Sequence, residues 1–449
     1  MLKLQFPKNF LWGTATSSYQ IEGGAFEEGK GLSNWDVFTK KKSKIKNFEN
    51  GDIACDHFHK YKEDVALIKK LNIHSYRFSI SWPRVIPNGI GQVNQKGLDF
   101  YDRLVDELLR KQILPFVTLY HWDLPNALEE KGGWLNRDTA YHFADYTDVI
   151  LKKLGDRVKH WITLNEPWIV MVAGYVLGAH APGLRKPYSS LRVAHNLLLA
   201  HGLGLERIRS HSPKAIAGLT NALTPVYSNQ LNKEGKAVRR ANALMNQLWL
   251  DPLYKGKYPT EIESAVLSQN KHNIKDGDME LISRKTDFMG VNHYSRMIVK
   301  SIPFPLFRFF PVLPAAESTQ FTTMGWEIYP QGFYDLLKWL AKEYGNQPIY
   351  ITENGISQTD VVKDGKVEDP SRIQYLKEYL LSMLKAMEEG VDVRGYFLWS
   401  FLDNFEWQEG YEKQFGIVYV DRQSSDLKRI PKASAQWYAK VCKDNGFIY

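Results

Sequence analysis

Short apolar runs alternate along the chain with longer stretches whose apolar positions recur every three to four residues. The runs at 75–80, 116–120, 161–164, 216–220, 288–292, 349–352 and 396–399 are rich in β-branched and aromatic residues. Several lack the two-residue alternation of a strand with one wet face, so they read as strands buried on both sides of a parallel sheet. An eighth run, near 14–20, is the weakest because Ser and Thr dominate it. Between the runs lie amphipathic stretches. Residues 98–110 place Leu98, Tyr101, Leu104, Val105, Leu108 and Leu109 on one stripe, and Val65, Leu67, Ile68 and Leu71 repeat it over a shorter span. Residues 335–344 and 373–387 supply two more helices. Eight strand–helix units with no low-complexity linker predict an α/β fold: a closed (β/α)8 barrel occupying 1–449 as a single domain, with long loops at its C-terminal face. The open, nucleotide-binding alternative lacks its glycine-rich phosphate motifs.

Composition sharpens this picture only in places. A length of 449 residues alone would suggest two or three domains, and the unbroken pattern favours one. Cys55 and Cys442 form no paired motif, which suits a reducing compartment and gives cytoplasmic as the expected location. The first ten residues carry Lys3 and Lys8 and no apolar stretch, unlike a secretory signal. Residues 167–184 are uncharged but include Gly174, Gly178, His180, Pro182 and Gly183. They read as a buried helix running into a loop, not a membrane span. The net charge is +8, and its densest basic run, Lys40, Lys41, Lys42, Lys44 and Lys46, reads as a solvated loop. Phe38 and Phe48 only flank that run, so no nucleic-acid partner is expected. Aromatic residues make up 13% of the chain, enough for a large core, a ring-stacking site, or both.

Candidate chemistry gathers where the strands end, the place from which such barrels draw their catalytic groups. The ends read in order Gln20, Arg77, His121 with Trp122, Asn165 with Glu166, Asn221, Asn292 with Tyr294, Glu353, and Trp399. A single Glu at a strand end is ordinarily a solvated turn residue. Two of them after apolar strands, each beside an Asn, suggest an acid/base pair in which burial raises one pKa and a cation keeps the other ionised. Arg77 is the candidate cation. Asp403 and Glu406, between Trp399 and Trp407, read either as a polar loop or as a stacking platform with a carboxylate acceptor for hydroxyl groups. That platform suits a neutral polyol better than a phosphate.

Four segments carry a resemblance that spans almost the whole chain. These are Phe10-Leu-Trp-Gly-Thr-Ala-Thr-Ser-Ser-Tyr-Gln-Ile-Glu22, Thr163-Leu-Asn-Glu-Pro167, Ile351-Thr-Glu-Asn-Gly355 and Ser400-Phe-Leu-Asp-Asn-Phe-Glu-Trp407. Together and in this order they resemble glycoside hydrolase family 1, the β-glucosidase family. The resemblance implies a (β/α)8, or TIM, barrel and a retaining exo-acting β-glycosidase. Its substrates would carry terminal β-D-glucosyl residues, with galactosyl and fucosyl as further candidates. By the same carry-over Glu353 is the nucleophile and Glu166 the acid/base, with carboxyl groups roughly 5–5.5 Å apart. Arg77 and Tyr294 would hold Glu353, and Asn165 would bind the 2-hydroxyl. Gln20, His121, Trp122, Glu406 and Trp407 would bind the other hydroxyls, with Trp399 beneath the ring, Asn292 in support and Trp326 on the aglycone side.

Within that family, Glu rather than Gln at 166 weakens a thioglucosidase reading, and the Glu406-Trp407 pair favours neutral over phosphorylated sugars. No clustered Cys/His spacing suggests a metal, and no cofactor is expected. The expected partners are small β-glycosides. A non-catalytic sugar-binding barrel is the alternative, and retention of both Glu166 and Glu353 favours the enzyme. Segment 301–320, with its run Ile302-Pro-Phe-Pro-Leu-Phe-Arg-Phe-Phe-Pro-Val-Leu-Pro314, matches no motif of the family. It reads first as a packed cap over the pocket, then as an aglycone entrance in which Phe307 and Phe309 favour apolar leaving groups, and last as a contact patch.

Overall fold

A computed structural model describes residues 3–229, 235–301, 309–312 and 320–449. Eight parallel strands close into a barrel: β1 Leu11–Ala15, β2 Ser75–Ser79, β3 Leu114–Tyr120, β4 His160–Asn165, β5 Ile216–Ala222, β6 Phe288–Asn292, β7 Ile349–Asn354 and β8 Val393–Trp399. Each is followed, before the next strand or the C-terminus, by a helix packed outside: α1 His57–Lys70, α2 Gln95–Arg110, α3 Asp138–Leu154, α4 Ser190–His211, α5 Leu248–Lys255, α6 Pro330–Tyr344, α7 Pro370–Glu388 and α8 Ala433–Asp444. The expected (β/α)8 barrel is therefore the fold. Closure is made by β8 and β1, with Tyr396 opposite Trp12 and Trp399 opposite Ala15.

Burial on both faces explains the missing alternation, since every residue of β2 is buried, Arg77 included. Side chains pointing inward fill the barrel. Phe116 lies edge-on to Phe288, Tyr350 and Phe397 at centroid distances of 5.5, 5.4 and 4.9 Å. Each such fully buried ring stabilises the fold by roughly 1.5–3 kcal/mol, so the barrel interior is a packed core and not a channel. The outward faces meet the helices, as α2 does through Leu98, Tyr101, Leu104, Val105 and Leu108.

Some boundaries differ from expectation. The first strand occupies Leu11–Ala15, not 14–20, and Ser18–Ile21 is a helical turn that carries Gln20. The serines there bond sideways, the Ser18 amide to Ser79 Oγ at 2.7 Å and Ser18 Oγ to Asp123 Oδ2 at 2.9 Å. Such side-chain bonds end a strand instead of continuing it. Leu109 falls at the edge of its stripe and is exposed. Helices α6 and α7 begin earlier than read, each with Pro in its first turn, where proline's fixed φ and missing N–H suit a helix start. Residues 167–184 form the turn Pro167–Ile169, the wide-turned helix Val170–Val176 and then a loop. Among the described residues no helix is long and apolar enough to cross a membrane. Lys40, Lys41, Lys42 and Lys46 of the basic run are exposed. Apart from strand Phe309–Val312, the apolar run 302–314 lies outside the described residues, as do the expectations for Phe307 and the Phe309 side chain.

Candidate active site

The two carboxylates emerge where strand pairing is irregular. Register shifts lie between Ile162 and Asn165 on β4 and between Ile351 and Glu353 on β7. An irregularity of this kind bends the strand end and re-aims its side chains. Glu166 follows with φ 46° and ψ 63°, a left-handed backbone that costs a non-glycine residue about 1 kcal/mol or more. Pro167 removes the ordinary helical option for the residue before it, and the Glu166 amide donates to Thr220 O at 2.8 Å. Both carboxylates open into one cavity of about 680 Å³ at the C-terminal face of the barrel.

Their partners differ. Arg77 Nη1 donates to Glu353 Oε1 at 2.5 Å and to Thr352 O at 2.9 Å, and Tyr294 Oη donates to Glu353 Oε2 at 2.8 Å. Glu166 receives one neutral donor, Asn292 Nδ2, on Oε1 at 2.7 Å. Asn292 is turned that way because Thr352 Oγ1 donates to its Oδ1 at 2.7 Å. Asn165 Oδ1 accepts from Arg77 Nη2 at 2.5 Å and from Asn292 Nδ2 at 3.2 Å. Its own amide then donates to His121 Nε2 at 3.1 Å, which places the ring proton of a neutral His121 on Nδ1.

Burial pushes the pKa of Glu166 up, and the Glu353 charge adds to the rise. Burial also raises Glu353, but the Arg77 charge and the Tyr294 and Arg77 hydrogen bonds oppose it. Of the two, Glu353 is the carboxylate whose partners favour the ionised form, and Glu166 the one whose surroundings favour the protonated form. Glu406 is raised by burial and then by the charges of Glu353 and Glu166. His121 is pushed well below its ordinary value by burial and by Arg77, so it stays neutral.

Around this pair stands an aromatic wall. His121 stacks on Trp399 and Trp407 at 5.9 and 6.1 Å, and Trp122 meets Trp407 at 4.5 Å. Trp122 and Trp407 both have positive φ, 79° and 51°, which aims each ring off its loop. Gln20 lies fully buried and its Nε2 reaches Phe405 O at 2.9 Å and Glu406 Oε2 at 3.4 Å, with Ser17 Oγ donating to its Oε1 at 2.6 Å. Trp326 meets Tyr294 at 5.2 Å and Phe415 at 6.0 Å.

The cavity is lined by His121, Trp122, Glu166, Asn292, Tyr294, Trp326, Glu353, Trp399, Glu406 and Trp407. Gln20, Arg77 and Asn165 are buried just behind that lining, one hydrogen bond away. Asn221 is also buried but outside the lining. Asp403 is turned away as well, its Oδ1 accepting from Lys432 Nζ and the Gly416 amide, both at 2.8 Å. Of the two readings for the 400–407 segment, Glu406 fits the platform and Asp403 a structural loop. Sequence reasoning missed Trp168, His180 and Phe415, which also line the cavity. Trp168 had a signal, since it directly follows the Glu-Pro pair. His180 and Phe415 arrive on loops that no periodicity predicts. Among the described residues no group of three or more His, Cys, Asp and Glu is arranged to hold a metal ion.

Known proteins resemble this chain over its full length in sequence and in fold. The family model described as Glycosyl hydrolase family 1 matches residues 2–447. Beta-glucosidase A of Thermotoga maritima is 48% identical, covering 98% of both chains. Beta-glucosidase A of Acetivibrio thermocellus is 46% identical, covering 100% of both. A solved structure of a Thermotoga maritima beta-glucosidase in complex with azafagomine superposes with a TM-score of 0.93 at 47% identity, covering 99% of this chain and 100% of that one. Matched from end to end in sequence and in fold, the chain belongs to glycosyl hydrolase family 1.

Proposed function

We propose that the chain is a retaining, exo-acting β-glucosidase that works by double displacement, and that residues 1–449 fold as one domain. The observation that carries this reading is the unequal partnering of two carboxylates in one cavity. Glu353 receives a cation and a phenol, whereas Glu166 receives a single neutral amide. In the first step the Glu353 carboxylate attacks the anomeric carbon. The Glu166 proton passes to the glycosidic oxygen as its bond to that carbon breaks, and the aglycone leaves as an alcohol. Glu166, now ionised, then takes a proton from water, whose oxygen displaces Glu353 and restores the starting state with net retention. Arg77 and Tyr294 keep the nucleophile charged and oriented, and Asn292 holds the acid.

Gln20, His121, Trp122, Asn165, Glu406 and Trp407 bind the hydroxyls, Trp399 supports the ring and Trp326 faces the aglycone. Glucosyl groups are the proposed substrates, with galactosyl and fucosyl as further ones. The two buried free thiols, Cys55 and Cys442, suit a cytoplasmic location. The test is a panel of nitrophenyl β-glycosides, with the anomer first released from the best substrate followed by proton NMR. β-Glucose appearing first supports the reading. α-Glucose first would overturn retention, and inactivity on the whole panel would favour a sugar-binding barrel.

A further inference from the structure

The strand ends that carry Gln20, His121 and Trp122 leave the sheet before those side chains reach the pocket. The β1–β2 ladder stops with Ala15 opposite Arg77, and the β2–β3 ladder with Ser79 opposite Thr118. Beyond those pairs the Thr16 amide donates to Arg77 O at 2.9 Å and the Ile80 amide to Thr118 O at 3.0 Å. Among the described residues these are the last backbone bonds between the three neighbours. We propose that Asp123 is a positioning residue: acting through Ser18, it holds the turn that carries Gln20 in register with the loop that carries His121 and Trp122. This rests on reading those three side chains as binding the sugar.

Side chains take over where the backbone bonds end. Asp123 Oδ2 accepts from Ser18 Oγ at 2.9 Å, and the carboxyl also hydrogen-bonds the Ser81 side chain. Ser79 Oγ donates to Ser18 Oγ at 3.0 Å and accepts from the Ser18 amide at 2.7 Å. Each hydroxyl has one proton to give, so the chain runs in one direction, from Ser79 to Ser18 to Asp123, and must end on an acceptor. Burial raises the Asp123 carboxyl to about 7 against its hydrogen bonds with Ser81 and Ser18. Oδ2 accepts in either charge state, because Oδ1 has no partner among the described residues and is free to carry the proton.

Asp123, Ser18 and Ser79 are all buried, and none of them lines the cavity. A carboxyl is costly to bury, so packing alone does not account for one here. The segment it grips needs holding. Ser18–Ile21 is a single helical turn with no side-chain bond capping its start, too short to keep its own shape. Within that turn Gln20 Nε2 points at Phe405 O and Glu406. On the other side, Trp122 is fixed by its Nε1 donating to Asn165 O at 2.9 Å. Asp123, the next residue, therefore sets the distance between Gln20 and Trp122 without touching a ligand itself.

The test is a double-mutant cycle on kcat/KM for a nitrophenyl β-glucoside, with Asp123→Ala, Gln20→Ala and the two combined. Asp123→Ala should lower kcat/KM about tenfold, the scale of one lost hydrogen bond to a carboxylate. If it acts by placing Gln20, that loss should shrink to under about threefold when Gln20 is already Ala. Asp123→Asn keeps an acceptor oxygen for Ser18 and should recover most of the activity, which a general loosening of the fold would not predict. Ser18→Ala cuts the same link, so adding it to Asp123→Ala should change little. Equal tenfold losses in both Gln20 backgrounds, or wild-type kcat/KM in Asp123→Ala, would overturn the proposal and leave the glycosidase reading in place. If Asp123→Ala fails to fold, Ser18→Ala in the same two backgrounds decides by the same comparison. A wild-type protein that turns over no β-glycoside would sink the underlying reading instead.

Discussion

Glu166 and Glu353 are the same side chain in the same cavity, 6% and 4% exposed, so only their neighbours can set them apart. The proposed mechanism needs Glu353 ionised and Glu166 protonated. The rate should therefore rise as pH climbs through the Glu353 titration and fall as it climbs through that of Glu166. Because burial and the Glu353 charge raise Glu166, the falling limb of kcat/KM should lie above the ordinary carboxylate range. Glu353→Gln removes that charge, so turnover should drop by at least ~10³-fold and the Glu166 titration, followed by infrared carboxyl absorption, should move down. An unmoved Glu166 would mean that the pair is not coupled. Arg77→Met should move the rising limb up, since Arg77 is what opposes the burial of Glu353. It should also destabilise the fold by about 3–5 kcal/mol by stranding a buried charge, read by denaturant unfolding. The identity of this pair was legible in the motifs around Thr163–Pro167 and Ile351–Gly355. The positive φ of Trp122, Glu166 and Trp407 was not, because turn geometry and not residue type imposes it.

Strands of this barrel were readable because burial on both faces erases alternation, and their ends because polar side chains follow apolar runs. The limits of that reading are physical. Ser17 and Ser18 look like strand continuation, yet their hydroxyls bond to Gln20 and Asp123 and turn the chain. The under-winding of Val170–Val176 has no sequence period of its own. Another element-level constraint sits at Gly355, just past β7, where an added Cβ would lie 1.8 Å from Trp399 O. That contact is with backbone, so no side chain can swing aside to relieve it. Gly355→Ala should force β7 and β8 apart beside Glu353, destabilising by about 1–3 kcal/mol and lowering kcat more than the stability loss alone explains. Normal kcat in a stably folded Gly355→Ala protein would contradict this tie between strand spacing and Glu353.

Across the whole molecule, distant parts of the chain converge on the segment that carries Glu406 and Trp407. Lys432, fully buried before α8, bonds Asp360 Oδ2 at 2.5 Å and Asp403 Oδ1 at 2.8 Å, and Arg372 on α7 bonds Asp360 Oδ2 at 2.7 Å. Lys432→Met would leave Asp403 and Asp360 buried with one cation fewer. It should destabilise the fold by about 3–5 kcal/mol and raise KM for glucosides more than it lowers kcat, because Glu406 is three residues from Asp403. The chain ends are joined as well, with Lys3–Gln5 paired to Gly446–Ile448. Such long-range pairings were invisible in the sequence, where Lys432 and Asp403 gave no sign of each other. The family motifs predicted the pocket, and the network beneath it emerged only from the fold. The most direct test of the account is to trap its covalent state with a 2-deoxy-2-fluoro-β-glucosyl donor bearing a good leaving group, which slows the second step more than the first. Mass spectrometry should find one fluoroglucosyl group per chain, and peptide mapping should place it on Glu353. Turnover of β-glucosides without any adduct, or an adduct on Glu166, would contradict it.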